Sequence, residues 1–169
     1  MLYFVDDMIK RNCLFCLSLM LCFIMCSYVQ AQQKSIPKTF PVFSMKLTDG
    51  STFKSTSIKK GNAAMVIYFS PTCDHCQDFI SDILKNMQDF KRYKIILITY
   101  VDISEVKKFE EDYHLKNYKN IIAGTEGTDF IVRFFYNVTT FPFTALYNKN
   151  LNLVSMYRQP PAIDKLKKI

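Results

Sequence analysis

The chain has 169 residues, almost half of them hydrophobic, and a formal charge of +7. That length suits one compact domain and is too short for two comfortable ones. The basic surplus is mostly scattered lysine with no aromatic-interleaved cluster, which argues against nucleic acid and leaves a solvated surface tolerant of acidic partners or anionic lipid.

Lys10 and Arg11 precede an apolar run from Cys13 to Val29, and Val29-Gln30-Ala31 offers a small-residue cleavage site before Gln32. Residues 1–31 therefore read as a signal peptide, with Met8 as an alternative start because Asp6 and Asp7 sit oddly in a basic lead. The run is about as long as a short membrane span, roughly 17–25 residues, so membrane contact follows only if the leader stays uncleaved. Phe23-Ile-Met-Cys26 lacks the small residue that a lipoprotein needs before its modified cysteine. Cys13, Cys16, Cys22 and Cys26 leave with the leader, and Cys13-Leu-Phe-Cys16 lies in an apolar stretch without strand or turn context. Only Cys73 and Cys76 remain in the mature chain. In an oxidising compartment, a single close pair with no other sulfur to bond points to that pair as the centre of function.

Residues 32–38 form a polar linker, and 39–169 make one domain. Phe40 to Thr48 and Ser51 to Ser55 flank Asp49-Gly50, the pattern of a β-hairpin. Met65 to Phe69 is an apolar, β-branched strand that Ser70-Pro71-Thr72 breaks just before the cysteines. A helix follows whose apolar face is Phe79, Ile80, Ile83, Leu84, Met87 and Phe90, with Cys73 at its N-terminus and Cys76 in its first turn. Unpaired N–H groups and the positive end of the helix dipole favour a thiolate there, so Cys73 is the expected nucleophile and Cys76 its resolving partner.

Lys94 to Val101 is a continuous apolar run suited to a strand covered on both faces. Asp102 and Glu105 form a capping-box pattern, and Val106, Phe109 and Tyr113 continue as a helical face. A short strand is expected from Asn120 to Ala123, then a helix capped by Thr128 or Asp129 with Phe130, Ile131, Phe134 and Phe135 on one face. Pro142 precedes a strand, Phe143 to Tyr147, that turns through Asn148-Lys149-Asn150 into a second one ending at Tyr157. Pro160-Pro161 opens a short end helix with Ile163 and Leu166.

The strand, C-x-x-C and helix, with Pro142 before a later strand and a closing hairpin, resemble the thioredoxin-like superfamily. The Asp-Gly hairpin ahead of the cysteines resembles its exported TlpA-type branch. The resemblance implies an α/β fold, a central mixed β-sheet flanked by helices with an N-terminal β-hairpin. It also implies a cis Pro142 opposite the cysteines that shapes a substrate groove, and a thiol-disulfide oxidoreductase that needs no cofactor. Partners would be protein disulfides or dithiols and a separate redox protein, in the periplasm or cell envelope. Two departures stand out. Ile67 occupies the place of thioredoxin's buried proton-transfer aspartate, for which Asp78, Asp82 or Glu126 are candidate substitutes. Phe141 replaces the usual threonine or valine, and its bulk either narrows the groove or adds an aromatic contact for substrate.

As a structural staple the pair would be poor, since so short a loop gives about 2 kcal/mol. Zinc needs roughly four ligands, and only His75, badly placed between the sulfurs, and His114 are available, so no metal is expected. Asp74 and His75 tune the thiols in opposite directions. A histidine before the second cysteine resembles oxidising DsbA-type enzymes, whereas the hairpin and length resemble reducing TlpA-type proteins, and the reductase is preferred. The alternatives are a DsbA-like oxidase and a thioredoxin-like binding or metal-delivery module without turnover. A peroxiredoxin would carry threonine or serine three residues before its cysteine and proline four earlier. For Cys73 those positions are Ser70 and Val66, and for Cys76 they are Cys73 and Phe69.

Overall fold

The computed structural model describes residues 18–21, 36 and 38–167. The chain divides into two units, Met1–Ser35 and Ile36–Ile169. In the first only 18–21 are described, as a helical segment, so the leader and its cleavage site lie outside the described residues. Among the described residues no helix is long and apolar enough to cross a membrane.

The second unit is organised on a seven-stranded sheet: β1 (Ser44–Leu47), β2 (Thr52–Lys54), β3 (Ala63–Tyr68), β4 (Tyr93–Thr99), β5 (Ile121–Thr125), β6 (Phe143–Tyr147) and β7 (Leu153–Tyr157), in the order β2-β1-β5-β4-β3-β6-β7. β3, β4 and β5 run parallel, whereas β6 runs antiparallel to β3 and β7 to β6. Every residue of β3 is buried, which is why its sequence is a continuous apolar run and not an alternating one. On the other flank β1 pairs antiparallel with both β2 and β5. Gly124 permits that approach, because a Cβ there would lie 2.6 Å from the Lys46 carbonyl oxygen.

Alternation along the strands divides the core in two. Met65, Ile67, Phe69, Ile95 and Leu97 face one side and pack under α1 (Asp74–Lys85), α2 (Met87–Phe90), α3 (Ile103–Asp112) and Leu166 of α5 (Ile163–Leu166). Ala64, Val66, Tyr68, Ile96 and Ile98 face the other, against Phe43 just before β1, Met45 of β1, Phe53 of β2, and Val132 and Tyr136 of α4 (Ile131–Tyr136). Burial of each large apolar side chain contributes about 1.5–3 kcal/mol.

Three local expectations need correction. The helix after the cysteines does not run unbroken to Phe90. Asn86 stops it, its side-chain amide donating to the Asp82 carbonyl at 2.8 Å, and Met87 and Phe90 reach the core from the separate turn α2. Asp102 caps α3 by accepting from the Ser104 N–H at 2.8 Å, and Ser104's own hydroxyl also donates to that oxygen at 2.7 Å. Among the described residues no bond runs from Glu105 back to the Asp102 N–H, so the cap is one-sided and not a full capping box.

The third correction concerns α4. Its buried residues are Val132 and Tyr136, while Ile131 and Phe134 are 43% and 76% exposed, so half of the expected apolar face is turned outward and only Phe135 of it packs, half-buried, against the core. Neither Thr128 nor Asp129 caps it. The buried Glu126 carboxylate does so from outside the helix, accepting from the Val132 and Arg133 N–H groups at 2.7 and 3.3 Å. Phe130, in a left-handed conformation at φ 49°, sets a helical phase that periodicity alone would not reveal.

Candidate active site

β3 ends at Tyr68, and the chain turns through Ser70-Pro71-Thr72 to place Cys73 as the residue before α1. Cys73 has an extended backbone, φ −91° and ψ 116°, while its carbonyl already accepts from the Cys76 and Gln77 N–H groups at 2.9 and 3.0 Å. The Gln77 side chain ties the helix back to the turn by donating to the Pro71 carbonyl at 2.7 Å. These bonds hold the two cysteines one helical turn apart on a fixed backbone.

Both are free thiols, Cys73 half-buried and Cys76 fully enclosed. Burial pushes the Cys76 thiol up to about 12, and its hydrogen bond and charge interaction with Cys73 push the same way, against an opposing backbone hydrogen bond at Ser70. Asp78 is exposed, Asp82 pairs with Lys85 at 3.0 Å, and Glu126 caps α4. Ile67 lies fully buried beneath α1, in register with Thr144 of β6. Asp74 and His75 are exposed on the first turn, and His75 borders a shallow groove with Asp78, Asp82 and the Pro160-Pro161 segment.

The other wall comes from the start of β6. The Phe141–Pro142 peptide is cis, Pro142 is buried, and the next residue, Phe143, is in register with Tyr68. The end of β3 and the beginning of β6 therefore meet at the same sheet edge as the cysteine turn. Phe141 does not extend freely into a groove. Its ring stacks on Tyr68 at 5.8 Å and on Tyr100 at 5.9 Å. Arg133 places its guanidinium 5.4 Å from the Tyr100 ring centre, 5.6 Å from Phe130 and 5.7 Å from Phe141. Beneath them the Tyr68 hydroxyl is buried without a hydrogen-bond partner among the described residues, and burial, with the Glu126 carboxylate, raises it well above the usual tyrosine range.

Arg133, Tyr68 and Tyr100 were not legible as site residues in the sequence. The available signal was position: Tyr68 ends β3 and Tyr100 directly follows β4, at the carboxyl edge of parallel strands, where α/β sheets gather their sites. Among the described residues no group of three or more His, Cys, Asp or Glu side chains is placed to hold a metal.

The profile of the AhpC/TSA family matches residues 36–160, most of the chain and nearly all of the sheet unit. The chain belongs to the AhpC/TSA family. As a member of that family it is an oxidoreductase. No curated protein matches it. Solved structures show the same thioredoxin-like fold. A thiol-disulfide oxidoreductase from Bacteroides fragilis is 15% identical, with TM-score 0.64 over 78% of this chain and 98% of that one. A secreted disulfide oxidoreductase of Mycobacterium tuberculosis is 19% identical, with TM-score 0.62 over 74% and 91%. An exposed lipoprotein thioredoxin of Streptococcus pneumoniae is 18% identical, with TM-score 0.57 over 75% and 95%.

Proposed function

We propose that this AhpC/TSA-family protein is an exported, TlpA-type thiol-disulfide oxidoreductase that reduces disulfides of envelope proteins through Cys73 and Cys76. The observation that carries the reading is the asymmetry of the pair: one sulfur half-exposed where a helix begins, the other enclosed one turn deeper. The secreted and lipoprotein relatives support export.

In the proposed cycle the Cys73 thiolate attacks one sulfur of a substrate disulfide beside Pro142. That S–S bond breaks, one substrate sulfur leaves as a thiolate, and a mixed disulfide joins Cys73 to the other. Burial and the neighbouring Cys73 charge keep Cys76 protonated until then. Forming the mixed disulfide removes that charge, which eases loss of the Cys76 proton to solvent. Cys76 then attacks the Cys73 sulfur and releases the second substrate thiolate, leaving Cys73–Cys76 oxidised and the substrate reduced by two electrons. A dithiol protein would restore the pair. Asp74 and His75 tune the first step from the exposed turn, and Phe141 shapes the groove by holding the proline wall.

A peroxidase reading is not favoured, because Ser70 meets the hydroxyl position before Cys73 but Val66 stands where that reading needs a proline. The test is equilibration with graded glutathione buffers, following the Cys73–Cys76 state. A potential near about −270 mV is expected for a reductase, and one near about −120 mV would reverse the direction to an oxidase. A pair that never cycles would replace enzyme with binding module.

A further inference from the structure

The proline wall carries a feature that thiol exchange alone does not use. Arg133 is half-buried, its guanidinium within 6 Å of three aromatic ring centres, and among the described residues no hydrogen bond or salt bridge engages that guanidinium. The nearest buried carboxylate, Glu126, is occupied by the backbone N–H groups of α4, one of them Arg133's own. Rings hold a guanidinium through its charge and its flat surface, so its in-plane donors stay free for a planar, two-oxygen acceptor.

The opposite wall has the reverse sign. Asp74 and Asp78 lie one turn apart on the exposed side of α1 beside the cysteines, and Asp82, a further turn along, is paired with Lys85 at 3.0 Å. A polypeptide crossing from α1 over Pro142 therefore passes from a negative wall to a fixed positive one that has no ion-pair partner among the described residues. Phe130 and the 76%-exposed Phe134, packed edge to face at 6.0 Å, extend the positive wall with apolar surface.

We propose that Arg133, fixed by Tyr100, Phe130 and Phe141, is a specificity-determining subsite that binds an aspartate or glutamate side chain of an extended disulfide substrate on the Pro142 side of the cysteines. The inference rests on the thiol-exchange reading and names the substrate class that this exchange selects: peptides whose disulfide is flanked by acidic residues. Charge complementarity carries it, since a carboxylate seated there pairs with a guanidinium that among the described residues stacks on rings but has no hydrogen-bond or salt-bridge partner.

The test uses the reduced full-length protein and disulfide peptides that differ only in Glu, Gln or Lys placed three residues before or after the cysteine. The readout is the second-order rate of Cys73–Cys76 oxidation. At low ionic strength the Glu peptide should react about fivefold faster than the Gln peptide, from one side of the cysteine only, with Lys slowest. Arg133→Gln should erase the Glu advantage and Arg133→Lys should keep part of it. In the unmodified protein the advantage should shrink as salt rises, which tests the idea even if a variant folds poorly. Equal rates for the Glu and Gln peptides, an advantage from both sides alike, or an advantage that persists in Arg133→Gln would overturn the subsite and leave thiol exchange intact. Failure of every peptide to oxidise the wild-type pair would overturn both readings.

Discussion

The two walls of the candidate site are built in opposite ways. The cysteine wall is local: one strand, one turn and the first turn of α1 place Cys73 and Cys76, and the bonds from the Cys73 carbonyl to the Cys76 and Gln77 N–H groups fix their spacing. The proline wall is assembled from distant segments, with Tyr68, Tyr100, Glu126, Arg133 and Phe141 meeting only once β3, β4, β5 and β6 have paired. The proposed reactive pair is therefore set by a short stretch of chain, while the surface proposed to select its substrate depends on the whole sheet. Changes on the first wall should alter chemistry, and changes on the second should alter stability and choice of substrate.

The larger of two ways to break that contrast is Glu126→Ala. It removes the acceptor for two N–H groups at the start of α4. An unsatisfied buried group costs roughly 1–3 kcal/mol, so a loss of about 2–3 kcal/mol is expected in urea unfolding, with the Arg133 and Phe141 stack loosened. An unchanged unfolding midpoint would mean that Glu126 does not organise the proline wall.

The smaller way concerns the cysteine wall and pH. The Cys76 thiol is raised in the folded state to about 12, above the ordinary thiol value of 9.0. A thiol raised on folding stabilises the protein fully below its unfolded value, and that contribution is lost as pH climbs through the window from about 9 to about 12. The reduced protein should lose stability across that interval, and Cys76→Ala should flatten the part that belongs to this thiol. A slope identical in the two proteins would show that burial of Cys76 does not set it.

The same contrast explains what was readable in the sequence. Met65 to Phe69, the break at Ser70-Pro71-Thr72, Phe79, Ile80 and Ile83 at helical spacing, and Pro142 before a strand are local signals, and they locate the central strands, α1 and the edge where the site forms. The thioredoxin-like fold follows from that order. Tertiary packing hid the rest. Asn86 ends α1 through a side-chain bond that competes with the helix ladder, so Met87 and Phe90 reach the core from a second turn. In α4 the apolar pattern pointed to Ile131 and Phe134, but Val132 and Tyr136 win the core because the Tyr136 hydroxyl bonds that of Tyr147 across it and Phe130 resets the phase. Glu126 stood out only as a carboxylate. Its role as a cap depends on how the link between the end of β5 at Thr125 and the start of α4 at Ile131 folds back on Glu126, which no spacing rule records.

The central claim is that Cys73 attacks and Cys76 resolves, and covalent trapping tests it most directly. Full-length Cys76→Ser and Cys73→Ser proteins would each be mixed with a disulfide-bearing protein, and the adducts read by non-reducing electrophoresis and peptide mass mapping. The account predicts a stable mixed disulfide on Cys73 in Cys76→Ser and none in Cys73→Ser. Adducts accumulating on Cys76 in Cys73→Ser, with none in Cys76→Ser, would contradict it.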